Sequence, residues 1–309
     1  MGNRAPVPAD EAMSMQGQQC RRIHDCLLMV PLGRRRASGN PAAASAFLPP
    51  PHPLAERLAE EKRRRAEAAS SPFLCFRSLV AEAERCVPEF VVRQICLDAG
   101  RTRAALPGHR GYFSLPAPSN DGSEDAFEAA LVRVLLAYEW KFMASVSGAQ
   151  GGAPSARGDA MAYVQGCNFL AAMCIGFAGG RDLEGFWLFL HLMEDVLGLE
   201  YFSRSPPFLG FHADRAAAVE LVSLEAPLIA SALGGALAEA VSMIAARCFL
   251  AGFVGFLPER PLVQLWESLL EGRHQAYPRL PLVACLVGLM RVAEDDLVTI
   301  VGRVASEEV

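Results

Sequence analysis

From residue 54 onward, apolar residues recur every three or four positions, the period of a helix and not of a strand. The clearest case runs from Asp125 to Met143. There Phe127, Leu131, Val134, Leu135, Tyr138 and Phe142 form one stripe, and Glu128, Arg133, Glu139 and Lys141 are assigned to the other face. Asp125 and Glu128 have the spacing of a capping box. Upstream, Leu54, Leu58 and a charged run to Glu67 predict an exposed helix, Ser71-Pro72 interrupts it, and a second helix follows from Phe73 to Cys86. Downstream, the pattern predicts one helix over Asp182–Leu197, two apolar helices between Ala216 and Phe256, and one after Pro258. The last of these carries Leu262, Leu265, Trp266, Leu269 and Leu270 at i, i+3, i+4, i+7 and i+8. A final helix is expected over Leu282–Val304. No alternating strand pattern or βαβ punctuation appears, so the fold class is all-α.

Residues 1–53 show no hydrophobic period. They are rich in Pro, Ala, Ser, Gly and Arg and read as a disordered tail ahead of a helical domain over 54–309. With 52% hydrophobic and 20% charged residues in 309, the chain has ample material for a large core. A net charge of -5 gives no electrostatic reason to expect nucleic-acid binding. The clustered cations, Arg34-Arg35-Arg36 and Lys62-Arg63-Arg64-Arg65, read first as solvated surface and second as a peripheral contact with an anionic membrane. Nine cysteines without a CxxC pair, and an N-terminus lacking the apolar core of a secretory signal, point to a reducing, cytoplasmic setting. Pro6 stands where an N-myristoylation site wants Ser or Thr.

Two candidate sites are set aside. Cys20, His24 and Cys26 match no zinc spacing, so no metal is expected. Ala160–Gly180 is uncharged over 21 residues, but it contains Gln165, Asn168 and four glycines, and reads as a buried core helix and not as a membrane span.

Two short segments carry chemistry. Ile95-Cys-Leu-Asp98-Ala-Gly-Arg101-Thr102 sets an aspartate and an arginine three residues apart, on one face of a helix. Alone, such a pair is ordinarily a surface ion pair that contributes little. Tyr163-Val-Gln165-Gly166-Cys-Asn168 offers a glutamine beside a glycine able to make a tight turn. Arginine suits the stabilisation of phosphate charge because its fork donates to two oxygens and keeps its charge. A glutamine amide can orient an attacking water. A cysteine–histidine hydrolase could be drawn from Cys167 with His191 or His212, but no thiol-protease signature accompanies them, and His191 reads as a satisfied core histidine.

In the order IxxDxxR then YxQGxN, the pair resembles the signature of the TBC domain, which activates Rab-type GTPases. Other segments are similar to that family in consistent order over roughly 90 to 300. These are Leu131 to Trp140, Gly185-Phe186-Trp187 with Glu194-Asp195, and Phe249 to Leu270 with Leu257-Pro258 and Leu265-Trp266-Glu267. The resemblance implies two helical lobes, the first to about residue 200 and the second over 201–309. It implies that Arg101 is an arginine finger and Gln165 a glutamine finger, with Tyr163, Gly166 and Asn168 holding the glutamine loop and Asp98 and Thr102 supporting the arginine. The partner implied is a GTP-bound Rab-family GTPase in vesicle trafficking. GTP and Mg²⁺ belong to that partner, so the chain itself is an activator without a cofactor, cytoplasmic or peripheral on endomembranes. The alternative is a TBC-like adaptor that binds without stimulating hydrolysis. Three departures stand out: no RxxxW between Leu54 and Val92, Cys167 where methionine is usual, and small residues from Gly148 to Ala156 just before the glutamine loop.

Overall fold

The computed structural model describes residues 50–71, 75–106, 126–148, 163–202, 207–274 and 276–307. The expected tail up to residue 49, with Cys20, His24, Cys26 and Arg34-Arg35-Arg36, lies outside the described residues. So do the Asp125 cap and the small-residue segment after Gly148. Among the described residues there is no β-strand.

The first half contains α1 (Pro53–Ala68), α2 (Phe76–Cys86), α3 (Glu89–Ala105), α4 (Ala126–Gly148), α5 (Cys167–Phe177) and α6 (Asp182–Leu190). The second contains α7 (Leu209–Glu225), α8 (Pro227–Leu233), α9 (Leu237–Leu250), α10 (Glu259–Leu270), α11 (Leu280–Val292) and α12 (Glu294–Glu307). In the first half α4 is the hub, touching α2, α3, α5 and α6, while α1 lies along α6. In the second, α7 packs on α9 and α11, and α8 on α12. One apolar core runs through both halves, from Leu54 to Leu297.

Several helices differ from the periodic reading. The first is not simply exposed: Leu54, Ala55, Leu58 and Ala59 are buried, so α1 presents an apolar edge to α6 and a charged one to solvent. The helix expected over Asp182–Leu197 is α-helical only to Leu190 and continues as a π-helical turn over His191–Val196. Such a turn inserts an extra residue and re-aims side chains, here those of His191, Glu194 and Asp195. The apolar stretch before Phe256 forms three α-helices, with Gly234 at positive φ (51°) between α8 and α9. The expected last helix breaks at Ala293, because Glu294 turns its carboxylate onto the start of α8. There Oε1 accepts the Leu228 and Ile229 N–H groups at 2.7 and 3.3 Å, donors that a helix N-terminus leaves unpaired.

The uncharged segment around Tyr163 is indeed internal: every α5 residue except Phe169 is buried. By length and composition, Pro227–Leu250 is the one stretch among the described residues long and apolar enough to cross a membrane. It is divided between α8, a 3-10 turn and α9.

Candidate functional site

On α3 the helical period puts Val91, Ile95 and Ala99 inside, with Asp98 and Thr102 on the edge of that buried face. Asp98 and Thr102 are fully buried, whereas Arg101 leaves 54% of its side chain exposed. Burying a carboxylate is costly unless its oxygens are satisfied, and Asp98 is satisfied three ways. Its Oδ1 accepts from the Arg101 guanidinium and from Gln94 Nε2 at 3.0 Å, and its Oδ2 accepts from the Tyr163 hydroxyl at 2.6 Å. One aspartate therefore joins the arginine helix to the loop that carries Gln165.

A second strand of hydrogen bonds runs beside it. Thr102 Oγ1 donates to the Asp98 carbonyl at 2.6 Å and accepts from Asn168 Nδ2 at 2.8 Å. Asn168 Oδ1 accepts the Gly166 N–H at 3.0 Å, which closes the turn at the start of α5. Glu139 on α4 accepts the Tyr163 N–H at 2.6 Å. Six polar side chains are fully buried among the described residues, and four of them (Asp98, Thr102, Glu139 and Asn168) belong to this one network. Burial also raises the Tyr163 hydroxyl well above its usual range, reinforced by its bond to Asp98 and that group's charge. Tyr163 thus stays a neutral donor.

The loop is shaped from behind by the second half of the chain. Gly166 has φ 119°, and a Cβ there would lie 2.6 Å from the Leu250 carbonyl oxygen at the end of α9. Only glycine fits, for lack of room and for backbone conformation together. The turn after Leu250 is in turn pinned by Trp266, whose Nε1 donates to Gly252 O at 2.9 Å. Gln165, between buried Tyr163 and buried Gly166, is left exposed.

The two sequence motifs are thus assembled into one site with a buried polar base and two solvent-facing side chains, one cationic and one amide. The family model that matches this chain is the Rab-GTPase-TBC domain, over residues 84–298. The chain belongs to that family. Among solved structures, the Chlamydomonas flagellar RabGAP TBC domain is similar in fold, with a TM-score of 0.52 and 19% identity, covering 96% of this chain and 89% of that one. No curated protein matches.

In this TBC domain the structure corrects one assignment and adds three residues to the site. Glu139, expected on the outer face of its helix, is fully buried and anchors the backbone of Tyr163. Gln94 and Leu250 join it as supports absent from the motif reading. Gln94 was accessible to sequence reasoning, since it precedes Asp98 by one helical turn.

Cys167 is fully buried, and burial pushes its thiol up to about 12, so it offers no thiolate for a hydrolase. His191 is a core histidine with Nε2 3.0 Å from the Leu270 carbonyl and Nδ1 3.0 Å from Asp195 Oδ2. His212 is exposed on α7. No group of three or more metal-ligating side chains occurs among the described residues.

Proposed function

We propose that this TBC domain accelerates GTP hydrolysis by a Rab-family GTPase, with Arg101 and Gln165 acting in trans. The observation that carries this reading is that one buried hydrogen-bond network holds both the exposed Arg101 and the loop on which Gln165 is exposed. Arg101 neutralises charge on the phosphate oxygens, and Gln165 orients the attacking water through its amide. Asp98 keeps the guanidinium in place before the partner arrives, which lowers the entropy lost on engagement. Tyr163, Gly166 and Asn168 fix the backbone from which Gln165 projects, and Thr102 ties that loop to the arginine helix. The nucleotide and Mg²⁺ are the partner's. The role follows its partner to cytoplasmic membranes in vesicle traffic.

The test is single-turnover hydrolysis across a panel of GTP-loaded Rab proteins, with wild type, Arg101→Ala and Gln165→Ala. Acceleration by wild type, and its loss in both variants with binding retained, is the expected result. Binding without acceleration by wild type would assign the chain to the adaptor class instead.

A further inference from the structure

The exposed face of α3 is not polar throughout. Phe90 is 58% exposed and Leu97 63% exposed, on a helix whose opposite side already supplies Val91, Ile95 and Ala99 to the core. At 100° per residue, positions 90, 94, 97 and 101 fall within an arc of about 60°. Phe90, Gln94, Leu97 and Arg101 therefore form one longitudinal stripe. From Leu97 to Arg101 the axial distance is about 6 Å, and from Phe90 about 16 Å, at 1.5 Å rise per residue.

We propose that Phe90 and Leu97 form an apolar docking ridge for the GTP-bound face of the same GTPase, continuous with the arginine finger. This rests on the catalytic reading of Arg101. A protein whose phosphates receive Arg101 must cover Leu97, one turn away. A contact of ordinary size, near 800 Å² per partner, has a radius of roughly 16 Å, so it extends to Phe90 as well. The occupant therefore presents an apolar patch beside its nucleotide. Buried anchors near the centre of an interface carry a large share of its binding energy, which places Leu97 above Phe90 in weight. The ridge governs how tightly the partner is held, whereas Arg101 and Gln165 govern what happens once it is held.

The two roles separate kinetically. With the double variant Phe90→Ser/Leu97→Ser, hydrolysis is followed at increasing concentrations of the full chain against the Rab protein that wild type accelerates most. We expect the half-saturating concentration to rise at least 10-fold, while the rate at saturation stays within about 2-fold of wild type. Arg101→Ala should show the reverse pattern. An unchanged thermal midpoint, expected because both side chains are exposed, confirms that the variant is folded. If wild type accelerates the GTPase and the half-saturating concentration of the double variant is unchanged, the ridge is overturned and the catalytic reading stands. If wild type accelerates no member of the panel, both fall. A wild-type dimer in sedimentation that the double variant dissolves would give the ridge to a second copy of the chain and overturn its assignment to the GTPase.

Discussion

Two polar clusters join helices in the first half of this molecule, one buried and one partly exposed, and they end differently. One is the Asp98 network, which connects α3, α4 and the start of α5 and delivers Arg101 and Gln165 to solvent. The other connects α1, α4 and the π-helical turn after α6. There Lys62 Nζ meets Glu194 Oε2 at 2.8 Å and Asp195 Oδ1 at 2.9 Å, Arg65 meets Asp195 Oδ2 at 2.8 Å, and Lys141 pairs with Glu194. Every charge named there faces an opposite charge within the cluster. Its chemistry is used up in holding three elements together, lining a cavity of about 250 Å³ between Lys62, Lys141, Trp187 and Glu194. The Asp98 network shares the same ingredients, and its Arg101 is ion-paired and about half exposed, as Arg65 is. Its base, however, is fully buried, and its other exposed end is the uncharged Gln165 amide. A polar cluster between helices does not by itself mark a candidate site; what distinguishes the Asp98 network is a buried, satisfied interior beneath solvent-facing polar ends.

The widest separation between the clusters should appear in activity. Arg101→Ala should lower the stimulated hydrolysis rate by about 10³ or more, near 4 kcal/mol of barrier, well beyond the modest fall in thermal midpoint expected when buried Asp98 loses its counter-charge. Lys62→Met should lower the midpoint and leave the saturated rate within about 2-fold, because it touches neither motif. Stopped-flow hydrolysis and scanning calorimetry on both variants check this crossing. A Lys62→Met protein that is folded but inactive would erase the distinction.

Asp98→Ala attacks the base of the site. It strips three donors of their acceptor, one of them the buried Tyr163 hydroxyl, so a loss of about 3 kcal/mol in stability is expected from urea unfolding. Arg101 and the Gln165 loop lose their support together, so on the proposed reading activity should fall even at temperatures where the variant remains folded. Gly166→Ala probes the same loop from the side of α9. The added Cβ meets a backbone carbonyl in a conformation that costs a non-glycine residue about 1–3 kcal/mol, and the loop must move to admit it. A loss of roughly 2 kcal/mol is expected, with a reduced saturated rate. Unchanged activity in Gly166→Ala would show that the position of Gln165 does not depend on this turn.

Much of this was legible because it is local. Asp98 and Arg101 share one helical turn, and Tyr163 to Asn168 is six consecutive residues, so their order along the chain points to the site before any folding is known. The all-α class followed from period alone. Glu139 reads as surface by its charge but is core by its position. It lies four residues after Leu135 and three before Phe142, on the buried stripe, and that spacing was the available signal. The backing of Gly166 by Leu250 had no such signal, since it is a backbone contact between segments far apart in sequence. The π-helical turn was equally hidden, because an inserted residue leaves the apolar spacing nearly unchanged while rotating the polar side chains.

The closed cluster makes the smallest prediction, and it is one of sign. Burial works to raise the Glu194 and Asp195 carboxyls, but the charges and hydrogen bonds around them prevail: Lys141 and Lys62 at Glu194, and His191, Lys62 and Arg65 at Asp195. Both are held below the ordinary carboxylate range. A carboxyl depressed in the folded state gives stability that is present above its unfolded value, about 4, and lost as pH falls toward the folded one, because the unfolded chain takes up the proton first. Glu194→Gln should therefore cost about 1 kcal/mol at pH 7, leaving the lysines partly unpaired, and the gap to wild type should narrow as pH is lowered from 5 to 3. Urea titrations at those pH values read the gap directly. A gap that widened on acidification would mean that Glu194 is not held below its ordinary range, and that the closed cluster joins the helices by packing and not by charge.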